Sequence, residues 1–296
     1  MKILITGSSG FIGLNLIKFL KQKGIETVSY DIRENPLDDV RDFQRLRNKM
    51  ESVDGVVHLA AVSRVKIAYQ NPLQCIDVNV GGTTNVLEAA REMGNRPWVI
   101  FGSSREVFGE PKDLPVTEES PRSLINVYGV AKIAGEDLCK MFSKNYNLKT
   151  RVLRFSNSYT DKNDQLDRVV PKFILQASRN EDLVINGTGE EMVFDFTYID
   201  DTINGIWGCI QDTQKRDVNF DDFILSNGQP NSLKRLAEIA IKETNSKSEI
   251  KYAESRSYDV ERFYADPKKA KEILGFSPST SLEEGIKLSI SKLGLD

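Results

Sequence analysis

Histidine is almost missing from this chain. His58 is the only one among 296 residues, and it sits in the apolar run Val56-Val57-His58-Leu59-Ala60-Ala61, where a satisfied strand residue is expected rather than a catalyst. A lone histidine disfavours histidine-based triads and most zinc chemistry. Cysteine is nearly as scarce. Cys75, Cys139 and Cys209 are odd in number and widely spaced, which fits reduced, buried thiols better than a disulfide framework or a metal site. Long apolar runs are also absent: stretches such as Val56 to Val62 fall far short of the roughly 20 residues that span a bilayer, so no membrane partner is expected. Charge of one sign is lacking too. With 40 Lys plus Arg against 43 Asp plus Glu the net charge is -3, and no global basic field exists to draw nucleic acid or anionic lipid. A cytoplasmic location is the expectation, and no metal is.

What is present is a regular alternation. Short β-like runs give way to longer helical patterns: Lys2 to Thr6 then Gly10 to Lys23, Glu26 to Asp31 then Asp42 to Met50, Gly55 to Leu59 then Pro72 to Met93. Strand Trp98 to Gly102, helix Val127 to Asn145 and strand Thr150 to Phe155 continue it. Such alternation predicts an α/β fold, a Rossmann-like doubly wound parallel sheet with helices on both faces. After Asn157 the regularity weakens into a loop at Thr160 to Gln165, a helix at Val169 to Arg179 and short strands around Leu183 to Ile185 and Val193 to Ile199. Helix Asp200 to Gln211 and strand Asp222 to Ser226 are expected to return to the first lobe. The expected division is therefore residues 1–156, joined by 200–227, as a cofactor-binding domain, with 157–296 mainly a smaller, interleaved substrate lobe.

The first strand runs into Gly7-Ser8-Ser9-Gly10-Phe11-Ile12-Gly13 and then an amphipathic helix. Glycines at this bend let the backbone approach a pyrophosphate, which gains from the N–H groups and positive end of the helix. The spacing is GxxGxxG rather than the GxGxxG of the standard fingerprint, but strand, turn and helix come in the required order. The second strand ends in Asp31, placed to accept hydrogen bonds from the adenosine ribose and to repel a 2'-phosphate, which favours NAD over NADP. Arg33, two residues on, can soften that choice. Asp39-Val40 precedes a helix and can border the adenine, although the helix dipole explains an acid there equally well.

Tyr128-Gly129-Val130-Ala131-Lys132 places a phenol and an ammonium four residues apart at the start of a helix, on one face. Two unit charges roughly 5 Å apart at an effective dielectric of ~20 interact by about 3 kcal/mol, or ~2.4 pKa units, bringing a phenol of pKa ~10 to about 7 to 8. A phenol so tuned exchanges a proton with a substrate hydroxyl near neutral pH. Lys132 can also hold the nicotinamide ribose. Strand Trp98 to Gly102 ends in Ser103-Ser104-Arg105-Glu106-Val107-Phe108-Gly109, delivering hydroxyls to the carboxyl end of the sheet, where open α/β folds bind ligands. Ser104 is the better candidate for sharing the substrate proton with Tyr128.

With these residues in place the chain resembles the extended short-chain dehydrogenase/reductases, specifically their NAD-dependent nucleotide-sugar epimerase/dehydratase group, over essentially its whole length. The carriers are Gly7 to Gly13, Asp31, His58-Leu59-Ala60-Ala61, Asn79 within Val78-Asn79-Val80-Gly81-Gly82-Thr83, Ser103 to Gly109, Tyr128 to Lys132 and Arg154-Phe155-Ser156-Asn157. Val169-Val170-Pro171 after Arg168, Asp195 to Asp201, and Arg256 with Asp259 look like the family's substrate-lobe landmarks. The resemblance implies that Leu59, Ala60, Ala61, Asn79 and Ser103 line the cofactor. It implies that Asn157 and Arg256 contact the diphosphate side of a nucleotide sugar, most often a UDP-sugar, with Arg105 and Val169 nearby. It also implies a homodimer built on the helices around Val80 to Met93 and Val127 to Asn145. Two departures stand out. Phe194 precedes Asp195-Phe196 where many relatives carry arginine, and Arg168 can take that place. Arg105-Glu106 stands where dehydratase members carry Asp-Glu.

Members of such a family begin alike, with Tyr128 taking a proton from a sugar hydroxyl as hydride moves to NAD. Eliminating a 6-hydroxyl then needs an acid for the leaving oxygen, which the guanidinium of Arg105 cannot supply. Epimerisation needs no extra group and leads, with C4 the carbon that the resemblance implies. A dehydratase, decarboxylase or keto-sugar reductase is the alternative, because Glu106 remains an available base. A cofactor-binding regulatory protein would be expected to lack Tyr128, Lys132 or Ser104.

Overall fold

The computed structural model describes residues 1–160, 163–255 and 260–295. Its strands are β1 (Lys2–Thr6), β2 (Glu26–Tyr30), β3 (Gly55–His58), β4 (Trp98–Ser104), β5 (Thr150–Phe155), β6 (Asn157–Tyr159), β7 (Leu183–Asn186), β8 (Val193–Tyr198), β9 (Phe220–Leu225), β10 (Pro230–Ser232) and β11 (Ile250–Ala253). Six of them form one parallel sheet in the order β2-β1-β3-β4-β5-β9. The register is unbroken from Lys2 opposite Glu26 on one side to Thr150 opposite Phe220 on the other.

Both faces of that sheet are covered, and the strand sequences show why. Ile3, Ile5, Val57, Ile100 and Leu153 enter one core, while Leu4, Val56, Val99, Phe101 and Val152 enter the other. Alternate residues thus point to opposite apolar layers, which makes each strand a near-continuous hydrophobic run. Helices Phe11–Gln22 and Ile199–Lys215 pack together in the first layer, with the rings of Phe19 and Trp207 6.1 Å apart. Helices Phe43–Lys49, Gly82–Glu92 and Val127–Tyr146 belong to the second.

The chain leaves β1 for β2 on one side and then crosses to β3 on the other. The carboxyl ends of β1 and β3 therefore flank a topological switch point, the place where such sheets bind ligands. The long helix expected over Pro72 to Met93 is divided into Pro72–Ile76, a π-helical turn at Asp77–Gly81 and Gly82–Glu92, which sets Asn79 at the wide turn. Periodicity alone does not reveal such a turn.

Beyond β5 the chain builds a three-stranded sheet, order β10-β8-β6, and a parallel pair β7-β11, then returns to the main sheet through Ile199–Lys215 and β9. Asp195 on β8 is fully buried and fixes this junction. Its carboxylate accepts hydrogen bonds from the N–H groups of Asn227 (2.8 Å), Gly228 (2.6 Å) and Gln229 (3.2 Å), and from the hydroxyls of Ser156 and Thr197, both at 3.1 Å. Among the described residues no helix is long and apolar enough to cross a membrane.

Candidate active site

Gly7 opens the turn after β1 with φ +71°, and a Cβ there would lie 2.6 Å from the Ala60 nitrogen. A Cβ on Gly13 would lie 2.4 Å from the Gly7 carbonyl oxygen. These two glycines let the β1 turn, the helix start and the β3 exit approach more closely than side chains allow. Helix Phe11–Gln22 begins at Gly10 without a side-chain cap and without an acid in its first turn. The N–H groups of its first turn and its positive end are thus left for an anion.

Asp31, 7% exposed, faces this turn and accepts from the N–H groups of Ser9 at 3.0 Å and Arg33 at 2.8 Å. The Ser9 hydroxyl donates to Glu34 at 3.1 Å. The Arg33 side chain bends back to Asp31, Nε to Oδ1 3.5 Å. Asp39 is not a helix-capping acid; Asp42 caps Phe43–Lys49, accepting from the Arg45 N–H at 3.0 Å. Arg41 grips Asp39 instead, Nη2 to Oδ2 2.6 Å, and this hydrogen bonding holds the carboxyl below the usual range. Val40 is buried, and its carbonyl accepts from Asn85 at 3.0 Å. The cradle at the switch point, with bare helix N–H groups, an acid at the ribose side and Val40 as a buried wall, fits a dinucleotide.

Leu59, Ala60 and Ala61 form the β3 exit beside the glycine turn, and Asn79 pins the next residue from both sides. Its carbonyl accepts from the Val62 N–H at 2.7 Å, and its amide donates to the Val62 carbonyl at 3.2 Å and the Cys75 sulfur at 3.4 Å. Both amide hydrogens are taken, so Asn79 holds the loop after β3 in place.

His58 has the opposite character to a catalyst. The Thr83 hydroxyl donates its one proton to the Asn79 carbonyl at 2.5 Å and so accepts from His58 Nε2 at 3.0 Å; Nδ1 then accepts from Thr6 Oγ1 at 2.6 Å. Burial, with Lys132 adding to it, pushes the imidazole down to about 3. The native state therefore holds His58 neutral while the unfolded chain titrates it near 6.5. The stability so contributed is complete above pH ~6.5 and falls by about 1.4 kcal/mol per pH unit below it, toward the folded value. Urea midpoints measured from pH 7 to pH 5 should decline accordingly, and His58→Asn should flatten part of the decline; an equal decline in the variant would assign it to carboxylates alone.

The candidate acid/base residues meet at the carboxyl end of β4. Asn126 caps helix Val127–Tyr146, accepting from the Gly129 N–H at 2.8 Å, and donates to Glu106 Oε2 at 2.9 Å. Sequence reasoning passed over Asn126, although a cap-type residue two places before Tyr128 is a readable signal. Tyr128 and Lys132 are 8% and 4% exposed. Lys132 Nζ donates to the Gly102 carbonyl at 2.6 Å, lies 4.8 Å from the Phe101 ring and 5.7 Å from the Tyr128 ring, and burial brings its pKa down to about 8.

The expected fall of the Tyr128 pKa to about 7 to 8 is not produced by these groups. Burial holds the phenol well above its ordinary value and the Glu106 charge adds to this, while the Ser104 hydroxyl, hydrogen-bonding to the phenol, works against it. The ammonium is turned to Gly102, and a desolvated phenol resists ionisation. Ser104 also accepts from the Glu106 N–H at 3.2 Å, and Ser103 donates to Glu136 at 2.6 Å.

Glu106, 7% exposed, is not a free base. Oε1 pairs with Arg105 Nη2 at 2.9 Å, and Oε2 takes the Asn126 bond. On the substrate side a cavity of about 230 Å³ is lined by Arg105, Glu106, Asn157, Val169 and Lys172 among others. Asn157 accepts from Arg105 Nε at 3.2 Å and donates to the Asp195 carbonyl at 3.0 Å. Arg168, expected to take the place of the arginine missing at Phe194, has its Nη1 held by the Ser158 carbonyl at 2.8 Å and Asp164 at 3.1 Å, and its charge favours the ionised form of Tyr128. The guanidinium over the Phe194 ring is that of Arg105, 5.2 Å from its centroid. Arg256 and Asp259 lie outside the described residues.

The family model described as GDP-mannose 4,6 dehydratase matches residues 36–289. A Methanocaldococcus jannaschii protein described as "Putative UDP-glucose 4-epimerase" is 31% identical over 309 residues, covering 96% of each chain. UDP-glucose 4-epimerase of Thermotoga maritima, solved with UDP-glucose, superposes with a TM-score of 0.90 at 29% identity, covering 99% of this chain and 98% of its own. UDP-glucuronic acid 4-epimerase of Bacillus cereus, solved with UDP-glucuronic acid and NAD, gives 0.88 at 26% identity, covering 99% of this chain and 98% of its own. The chain belongs to the NAD-dependent nucleotide-sugar epimerase/dehydratase family of the extended short-chain dehydrogenase/reductases.

Proposed function

We propose that the chain is an NAD-dependent UDP-sugar 4-epimerase. The observation that carries this reading is the state of the Arg105-Glu106 pair. A guanidinium stands where elimination needs an acid, and both oxygens of Glu106 are held, by Arg105 and Asn126. One relay remains, Ser104 with Tyr128, and one relay is what epimerisation requires.

In this reading Tyr128 accepts the proton of the 4-hydroxyl, with Ser104 as the hydrogen-bonding partner that steadies both oxygens. NAD, when bound in the cradle, supplies a reversible hydride acceptor and a positive ring that favours the ionised phenol. Gly7 to Gly13 would hold its pyrophosphate, Asp31 a ribose, Asp39 and Val40 the adenine side, and Lys132 the second ribose through the donors that Gly102 leaves. Burial excludes water from the relay, and Tyr128 returns the proton after the keto sugar has turned its other face. The reading includes a cofactor lobe of residues 1–156 and 200–227, a cytoplasmic location and a homodimer. Exposed Ile67, Tyr69, Leu73 and Val130, on helices that pack together, support the last.

The test is incubation of the NAD-loaded protein with UDP-glucose, UDP-galactose and their uronic acids in deuterated water. The expected product has unchanged mass and no deuterium at C5. Loss of water or of carbon dioxide, or deuterium at C5, would overturn epimerisation, and loss of water would return Glu106 to the role of base. NAD should also bind ahead of NADP in side-by-side titrations, since Asp31 faces the extra phosphate with like charge, and Asp31→Ala should narrow the gap; a native preference for NADP would reject the assignment of Asp31.

A further inference from the structure

Arg105 is a half-buried cation whose neighbours answer only part of it. Nη2 pairs with Glu106 at 2.9 Å and Nε donates to Asn157 at 3.2 Å, while Cζ lies 5.2 Å from the Phe194 ring and 5.7 Å from the Phe263 ring. Nη1 is buried and has no hydrogen-bond partner among the described residues. A buried donor left unmet costs free energy unless something else receives it. The rest of the side chain is held on three sides, so the orphaned corner has a fixed position. It belongs to a residue lining the 230 Å³ cavity, together with Asn157, Lys172 and the apolar Phe194, Leu233 and Val260. A planar cation stacked on aromatic rings, with one free N–H, is suited to a phosphate or carboxylate oxygen.

We infer that Arg105 is an anion-binding residue of the substrate site, its Nη1 receiving an anionic oxygen of the nucleotide sugar. The inference rests on the nucleotide-sugar reading above and adds the residue and the chemistry. It also connects two departures in the sequence. The ring of Phe194 is a platform for a cation delivered from the end of β4, and Arg105 has a use that does not require it to release a proton. The oxygen can come from the diphosphate or from a carboxylate on the sugar, and binding separates the two.

UDP, UDP-glucose and UDP-glucuronate are titrated calorimetrically into the NAD-loaded wild type, Arg105→Gln and Arg105→Lys. Arg105→Gln should weaken binding about 10- to 100-fold, the range for one charge-assisted hydrogen bond, with NAD affinity unchanged; because it also leaves the buried Glu106 without its cation, the thermal midpoint should fall and the titrations are made well below it; Arg105→Lys should fall between. Equal losses on all three ligands assign the diphosphate, and a loss confined to UDP-glucuronate assigns a sugar carboxylate. Steady-state kinetics should show the loss in KM rather than kcat. Wild-type affinity for all three ligands in folded Arg105→Gln would overturn the proposal, and if that variant does not fold, the same outcome in Arg105→Lys would. A wild type that bound none of the three would remove the nucleotide-sugar reading itself, and this one with it.

Discussion

Tyr128→Phe is expected to keep its fold and its affinity for NAD while turnover of the UDP-sugar falls by at least about 100-fold, the scale of losing one positioned acid/base. The substitution removes a single oxygen. The ring stays packed with Ala68, Cys75 and Ala131 in a small buried cluster beneath helix Val65–Gln70, and that packing does not depend on the hydroxyl. Lys132 keeps its bond to Gly102, so the cofactor side is untouched. What disappears is the group proposed to take the 4-hydroxyl proton in a site sheltered from water. Ser104→Ala should do less damage, since a partner in a relay is more easily spared than its terminus. Single-turnover rates, measured by the absorbance of reduced cofactor, separate the chemical step from release. Near-normal turnover in Tyr128→Phe would remove the residue from the mechanism.

The elements that place Tyr128 were legible because they depend on local pattern. Alternating strand runs and helical stretches specify a parallel sheet, and the sheet fixes which ends of β1, β3 and β4 share the crevice. Gly7 to Gly13 and Asp31 were readable for the same reason: a turn needing positive φ and close approach admits few residue types. The electrostatics were not legible. An i, i+4 spacing suggested that Lys132 would draw down Tyr128, but burial decides the sign, and burial depends on helices Val65–Gln70 and Pro72–Ile76 closing over the phenol. Arg168 and Arg105 make the same point. Arg168 is the replacement for a missing cation that the sequence offers, and only the fold shows its Nη1 turned to Asp164 and Arg105 lying over Phe194. The Asp39-Val40 pair was found from the sequence, yet the grip of Arg41 on Asp39 comes from a turn that periodicity does not specify.

Glu136→Ala should cost about 3 to 5 kcal/mol of stability, the range for breaking a buried charge pair from one side. Glu136 lies on the catalytic helix four residues after Lys132, 3% exposed. Oε1 accepts from Ser103 Oγ at 2.6 Å and Arg154 Nε at 2.9 Å, and Oε2 from Arg154 Nη2 at 2.8 Å. One carboxylate thus ties the helix bearing Tyr128 to two neighbouring strands. Without it Arg154, itself buried, keeps Asp222 at 2.8 Å, a residue with a more open side chain, and its place 5.3 Å from the Phe108 ring. Those contacts answer only part of a desolvated guanidinium. Urea unfolding should show a lower midpoint with an unchanged slope, the mark of lost stability rather than a changed unfolded state. Glu136→Leu combined with Arg154→Met should recover most of the loss, because an apolar pair of similar volume leaves no stranded charge. A single-variant loss under about 1 kcal/mol would show that Asp222 alone satisfies Arg154. A double variant no better than the single would place the cost in Ser103 and the helix position, and its turnover should then fall with its stability.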